Sequence, residues 1–258
     1  MSSSSPAGPE EEVAGPLLGP SSPLSPAPPR PQREQAPPLL EVAGLVKRYG
    51  RRRPSVLNGV SFRVPRGLLV AVEGENGAGK STLLGCLVGL LAPDAGQVVV
   101  SGSLGYCPQE PALFDTLTCA EQLTLFAAGY GLDGDTAERR ARELMERFGC
   151  ARYAGTRVDR LSGGTRQKVN LIASLLHHPD VLLLDEPYQG FDYETYLSFW
   201  SFAEQARDEG RSVVVVSHMH TERHRFGALV ALSNGTVEVT GPQARQVRST
   251  TSGPEAVR

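Results

Sequence analysis

Leu68-Leu69-Val70-Ala71-Val72-Glu73-Gly74-Glu75-Asn76-Gly77-Ala78-Gly79-Lys80-Ser81-Thr82 is the stretch on which the reading of this chain turns. Leu68 to Val72 form an apolar run of strand length, too short for most helices. Leu83-Leu84-Gly85-Cys86-Leu87-Val88 follows directly and reads as a helix. Strand, glycine-rich turn and helix are the context that a phosphate-binding loop requires. The glycines let the backbone wrap around an anion without Cβ clashes. The free N–H groups of the turn and the helix start then point at that anion. Gly74, Glu75, Asn76, Gly77, Ala78, Gly79, Lys80, Ser81 and Thr82 are therefore the candidate phosphate-binding residues. Lys80 is placed to reach the β- and γ-phosphates, and the Ser81 hydroxyl to ligate Mg²⁺. The chain has three lysines, Lys47, Lys80 and Lys168, and one of them falls on the required position. That speaks against a glycine-rich turn that binds nothing.

Length and composition set the frame. With 258 residues, 40% of them apolar, the chain can bury one sizeable core with a smaller subdomain and tails. A net charge of -2 carries no electrostatic footprint for nucleic acid, so none is expected as a partner. Cys86, Cys107, Cys119 and Cys150 have no paired spacing and read as reduced thiols. No apolar run reaches the roughly 18–20 residues that span a bilayer, and the N-terminus lacks a secretory pattern. The expected location is cytoplasmic, with membrane contact through another protein.

Residues 1–38 hold eleven of the 20 prolines and few large apolar residues, and read as a disordered tail. Leu40 to Val46 and Val56 to Val64 read as strands of a small antiparallel region, joined by the basic turn Arg51-Arg52-Arg53-Pro54. Gln97 to Val100 should add a further strand. Residues of about 110–165 read as a helical insertion. Thr118 caps its first helix, and Asp135 with Glu138 resembles a capping-box start for its second. Ser162 caps a helix with Val169, Ile172 and Leu176 on one face. Val181 to Leu184 is a buried strand, and Asp192 starts a helix carrying the core stripe Tyr196, Phe199, Trp200 and Ala203. Val213 to Val216 is another buried strand. Ala228 to Ser233 and Thr236 to Val239 form a hairpin around Asn234-Gly235. From about Gln243 the chain reads as a frayed tail. Strands alternating with helices imply an α/β fold with a mostly parallel sheet, covered on both faces.

A second chemical signal lies at Val181-Leu182-Leu183-Leu184-Asp185-Glu186-Pro187. A buried strand ending in two acids puts carboxylates at the sheet edge where the phosphate loop also lies. Asp185 is a candidate Mg²⁺ ligand, and Glu186 is placed to polarise an attacking water.

With both signals in hand, the chain resembles the ATP-binding subunit of an ABC transporter, over residues of about 39–242. Leu161-Ser162-Gly163-Gly164-Thr165-Arg166-Gln167 matches the family's signature motif. Gln109, after Tyr106-Cys107-Pro108, matches the Q-loop glutamine. Gly190-Phe191-Asp192 fits the D-loop, and His218, after the Val213 to Ser217 strand, matches the switch histidine. Tyr49 fits the aromatic that stacks on adenine. His218, His220 and His224 also raise a metal cluster, but no Cys or acid completes it. Departures are Glu75 where Pro is common, Thr165 where Gln is common and Phe191 where Leu is common.

The resemblance implies a P-loop fold of ABC-ATPase type, with an antiparallel β subdomain and a helical subdomain. It implies ATP and Mg²⁺ as cofactors, with Ser81, Gln109 and Asp185 at the metal. Lys80, Gln109, Glu186 and His218 would be catalytic. Tyr49, the phosphate loop and, from a second subunit, Ser162, Gly163 and Gly164 would bind nucleotide. It further implies a homodimer or pseudo-dimer and a membrane permease on a separate chain, whose transport ATP hydrolysis powers. Arg166 to Leu171 and Tyr188 to Asp192 resemble drug and antibiotic exporters. The alternative is a soluble ABC ATPase acting on ribosomes or DNA. The tandem domains or long coiled coils of those relatives are not seen here.

Overall fold

The computed structural model describes residues 37–50, 54–217 and 220–249, and these described residues form one compact unit. The tail expected over residues 1–38 lies almost wholly outside the described residues, as do Arg51 to Arg53 of the basic turn and His218.

Two sheets carry the architecture. β1 (Leu40–Arg48), β2 (Ser55–Val64) and β4 (Ala95–Val100) form an antiparallel sheet in the order β2-β1-β4. The main sheet also contains β3 (Leu69–Glu73), β5 (Leu104–Cys107), β6 (Val181–Asp185), β7 (Ser212–Val216), β8 (Ala228–Ser233) and β9 (Thr236–Thr240). Its order is β5-β6-β7-β3-β8-β9, parallel throughout except for β9 at one edge.

The central strands β3, β6 and β7 each carry four consecutive apolar residues because both faces are covered. Successive side chains alternate between the faces. Leu69, Ala71, Leu182, Leu184, Val213 and Val215 enter one core, while Val70, Val72, Val181, Leu183, Val214 and Val216 enter the other. The first core is closed by α2 (Cys119–Gly129), α4 (Gly163–Leu175) and α5 (Tyr193–Asp208), with Met145 of α3 (Gly134–Arg147). The second is closed by α1 (Lys80–Leu87) and the small sheet. The aromatic stripe of α5 is core, with Phe199, Trp200 and Ala203 fully buried.

Helix starts follow local chemistry. Thr118 and Glu121 make the reciprocal capping box of α2, and Ser162 and Asp192 cap α4 and α5. For α3 the cap is Asp133, which accepts from the Thr136 N–H at 2.9 Å, and not Asp135. Asp135 instead sits in the first turn, where a carboxylate complements the helix dipole. In the β8–β9 hairpin Asn234 and Gly235 both have positive φ, 49° and 75°, which a two-residue turn of this twist demands.

The frayed tail expected from Gln243 is corrected by a short helix, α6 (Ala244–Val247), which buries Ala244 and Val247. The Arg63 guanidinium donates to the Gln246 carbonyl at 2.8 Å, and Arg248 donates to that of Val239 at 2.8 Å. Two small apolar residues three apart were enough to dock one turn. The four cysteines are free and buried, and burial pushes the Cys150 thiol up to about 11.

Candidate functional site

β3 delivers the chain into the phosphate loop, and α1 begins at Lys80. Thr118, Asp133, Ser162 and Asp192 cap α2 to α5 by side chain, but Gly79 at the start of α1 supplies none. The first-turn N–H groups of α1 are therefore left for an external anion. Gly79 has φ 104°, and a Cβ there would come within 2.9 Å of Val56 Cγ1 and 3.2 Å of the Val56 carbonyl oxygen. Only glycine lets the loop close against β2.

A cavity of about 320 Å³ gathers the loop with Val56 of β2 and residues from the ends of three other strands. Asn76, Gly77, Gly79, Lys80, Ser81 and Thr82 line it from the loop side. Gln109 enters from the turn after β5, Asp185 and Glu186 from the end of β6, and Tyr49 from the end of β1. Residues up to 137 positions apart in the chain meet here because β6 and β5 lie on the β7 side of β3 with their C-terminal ends aligned. A larger cavity, about 850 Å³, borders the same loop beside Ser217, Arg223 and Asn234, but contains neither Ser81, Gln109 nor Asp185. The smaller one gathers the candidate site residues.

Lys80 Nζ donates to the Gly74 carbonyl at 2.7 Å and to that of Glu75 at 3.0 Å, so the ammonium is held over the loop. The Tyr49 hydroxyl lies 3.2 Å from Thr82 Oγ1 while the residue as a whole stays 47% exposed at the cavity mouth. Glu186 stands out by backbone. Its φ is 47°, a left-handed conformation that costs a non-glycine residue roughly 1–3 kcal/mol, and such strain gathers at functional sites. Ser162, Gly163 and Gly164 do not line this cavity. Ser162 Oγ accepts from the Thr165 N–H at 3.3 Å, and Gly164 packs on the D-loop, where a Cβ would meet the Gly190 carbonyl oxygen at 2.3 Å.

Four supporting residues carry no motif of their own. Asn170 of α4 donates to the Pro108 carbonyl at 2.8 Å, next to Gln109. Lys168 of α4 donates to Asp192 at 2.7 Å, and that hydrogen bond, with the Thr195 N–H, holds the Asp192 carboxyl well below the usual carboxylate range. Arg223 grips Glu73, the residue before Gly74, through Nε at 3.0 Å and Nη2 at 2.6 Å. Tyr188 donates its hydroxyl to Ser217 Oγ at 2.5 Å. Lys168 and Asn170 lie inside the Arg166 to Leu171 run and Tyr188 opens the Tyr188 to Asp192 run that resemble exporters, which are their sequence signals, and Arg223 had none.

The family model for ABC transporters matches residues 57–189, which contain the phosphate loop, the signature and the two acids. The chain belongs to the ABC transporter family. It is 32% identical to the linearmycin resistance ATP-binding protein LnrL of Bacillus subtilis over 196 residues, covering 71% of this chain and 62% of LnrL, less than two thirds of that relative's length. It is 33% identical over 226 residues to the daunorubicin resistance ATP-binding protein DrrA3 of Streptomyces coeruleorubidus, covering 83% and 71%. The solved ATP binding subunit of an ABC transporter superposes with a TM-score of 0.74 at 31% identity, covering 79% of this chain and 90% of that one. The fold is also that of a cassette solved as a dimer with ADP and Pi, with a TM-score of 0.72 at 23% identity, covering 79% and 98%. Among the described residues no helix of this ABC family member is long and apolar enough to cross a membrane.

Proposed function

We propose that this chain is the ATPase subunit of an exporter for drug- or antibiotic-like compounds, working with a permease on a separate chain. The observation that carries the reading is the convergence of Lys80, Ser81, Gln109, Asp185 and Glu186 on one cavity beside uncapped helix N–H groups. The resistance names of LnrL and DrrA3 support export of such compounds.

The donor set suits the ion the family uses. Among the described residues no three His, Cys, Asp or Glu side chains are grouped to hold a metal. A hydroxyl, an amide and one carboxylate, Ser81, Gln109 and Asp185, are hard oxygen donors that leave room for water and phosphate, the preference of Mg²⁺. When bound there, Mg²⁺ would neutralise charge on the nucleotide's phosphates. The loop N–H groups hold the phosphates, Lys80 swings from the Gly74 and Glu75 carbonyls to the terminal phosphate, and Tyr49 offers its exposed ring to adenine. Glu186 accepts a proton from the attacking water, and His218 steadies charge at the terminal phosphate. Positioning and fixed charge supply most of the catalysis.

The signature lies outside the cavity, and its glycine backbone N–H groups suit a phosphate held by another subunit. A head-to-tail dimer of cassettes supplies that arrangement, and opening and closing of the dimer drives the permease. Location at the inner face of the cell membrane follows from the permease.

The test is ATP hydrolysis by the purified chain with Mg²⁺. Glu186→Gln should keep nucleotide binding and lose about 10²–10⁴ in rate, and Lys80→Ala should lose tight binding. Wild-type turnover by Glu186→Gln would remove the base assignment. ATP should dimerise Glu186→Gln in light scattering, and adding Ser162→Arg should abolish the dimer while sparing monomer binding. A native complex with ribosomes or DNA in place of a membrane protein would overturn the transport reading.

A further inference from the structure

Glu186 has to point its carboxylate into the cavity from a backbone conformation that disfavours it, so something must hold the turn. Its N–H donates to the Val216 carbonyl at 3.0 Å, extending the β6–β7 ladder by one residue. Pro187 then disfavours the right-handed helical alternative for Glu186. The chain folds back at once, with the Gln189 N–H on the Glu186 carbonyl at 3.2 Å and the Phe191 N–H on that of Tyr188 at 3.1 Å.

Tyr188 sits at the centre of this turn and is 7% exposed. Its ring packs edge-on against Tyr196 and Phe199, with centroids 5.6 and 5.5 Å away, and tilted against Trp200 at 5.9 Å. The ring therefore anchors the turn to α5. The hydroxyl reaches the other way, to Ser217, whose N–H lies 3.4 Å from the Val72 carbonyl at the end of β3. One side chain thus ties the Glu186 turn to the exits of both β7 and β3, the strand that leads into the phosphate loop. A tyrosine whose only role was to fill the core would not need its hydroxyl at this place.

We propose that Tyr188 is a positioning residue for ATP hydrolysis, its hydroxyl bond to Ser217 holding the left-handed Glu186 turn in register with the phosphate loop. This rests on Glu186 being the base of the proposed ATPase. Burial pushes the Tyr188 phenol up to about 12, so it remains a donor at neutral pH.

The experiment uses the full chain and three measurements on Tyr188→Phe, which keeps the ring, and on Ser217→Ala, which keeps the tyrosine. The expected result is a loss of about 10- to 100-fold in kcat, the scale of a small misplacement of a reacting group, with the KM for ATP changed less than about twofold. Hydrogen exchange at the Glu186, Gln189 and Phe191 amides should speed up in both variants, with the melting temperature lowered by no more than a few degrees. The double variant should be no slower than either single one. Added to Glu186→Gln, Tyr188→Phe should cause no further loss, because the group it positions is already gone. Wild-type kcat in both variants, or a full multiplicative loss on top of Glu186→Gln, overturns the proposal while leaving Glu186 as base. If Glu186→Gln itself turns over at the wild-type rate, the ATPase assignment beneath it fails instead.

Discussion

Asn170 of α4 donates its side-chain amide to the carbonyl of Pro108, so the residue before Gln109 hangs from the helix that Ser162 begins. The same amide lies 3.3 Å from Cys107 Sγ, and Asn170 is 4% exposed. A helix carrying the signature thereby fixes the turn carrying the candidate metal ligand. Asn170→Ala leaves the part-buried Pro108 carbonyl without its donor, at a cost of about 1 kcal/mol. For a chain of this size that is roughly 2–4 °C in melting temperature per kcal/mol. Hydrolysis should fall more than ATP binding, and Asn170→Asp, which keeps the shape but alters the donor, should repeat the defect. Wild-type melting and turnover in Asn170→Ala would dissolve the link.

Gly164 tests the contact between signature and D-loop. A Cβ there would stand 2.3 Å from the Gly190 carbonyl oxygen, and backbone cannot yield as a flexible side chain would. Gly164→Ala should destabilise the fold by about 1–3 kcal/mol, the usual cost of overpacking, and weaken ATP-dependent dimerisation. Gly163→Ala is the control, since a Cβ at Gly163 meets nothing within 4 Å. Equal melting temperatures for the two variants would contradict this contact.

His177 sets an acid limit on stability. Its ring stacks on Tyr130 at 3.8 Å, and Nε2 lies 3.0 Å from the Leu104 carbonyl, which can only accept, so Nε2 carries the proton. Nδ1 is buried with no partner, and burial is the main cause that lowers the pKa, with Arg140 and His178 adding repulsion. His178 is lowered too, by burial and then by Arg211 and Arg140. A lowered folded-state pKa means that the unfolded chain binds the proton first. Stability should be complete above the unfolded value of about 6.5 and decline as pH falls from there through the folded values. Thermal melts between pH 7.5 and 5 should show that decline, with a shallower slope in His177→Gln. A melting temperature that rises on acidification through this range would reverse the sign.

Val247 probes the docked C-terminal turn. Val247 is fully buried, and a buried valine contributes about 1.5–3 kcal/mol. Ending the chain after Pro242 should therefore lower the melting temperature by several degrees, and Val247→Asp should do at least as much. No change in either variant would return this segment to the frayed tail that its composition suggested.

What the chain wrote locally was legible from sequence. The apolar runs became β3, β6 and β7, and Thr118, Ser162 and Asp192 start their helices, because strand alternation and capping act within about four residues. The phosphate loop, the two acids and the Asn234-Gly235 turn are likewise short-range patterns. Asp133 against Asp135 shows the limit, since two acids two residues apart compete for one cap. Tertiary structure alone paired Tyr188 with Ser217 across 29 residues, Asn170 with Pro108 across 62 and Arg223 with Glu73 across 150. No local period encodes such pairs. Tyr188–Ser217 and Arg223–Glu73 exist because β3 inserts between β7 and β8, bringing strand exits from distant parts of the chain to one edge, and Asn170–Pro108 because α4 packs on β5. The same order assembled Lys80, Gln109, Asp185 and Glu186 around one cavity, which Tyr49 enters from the small sheet, and it left the Ser162 helix start outside.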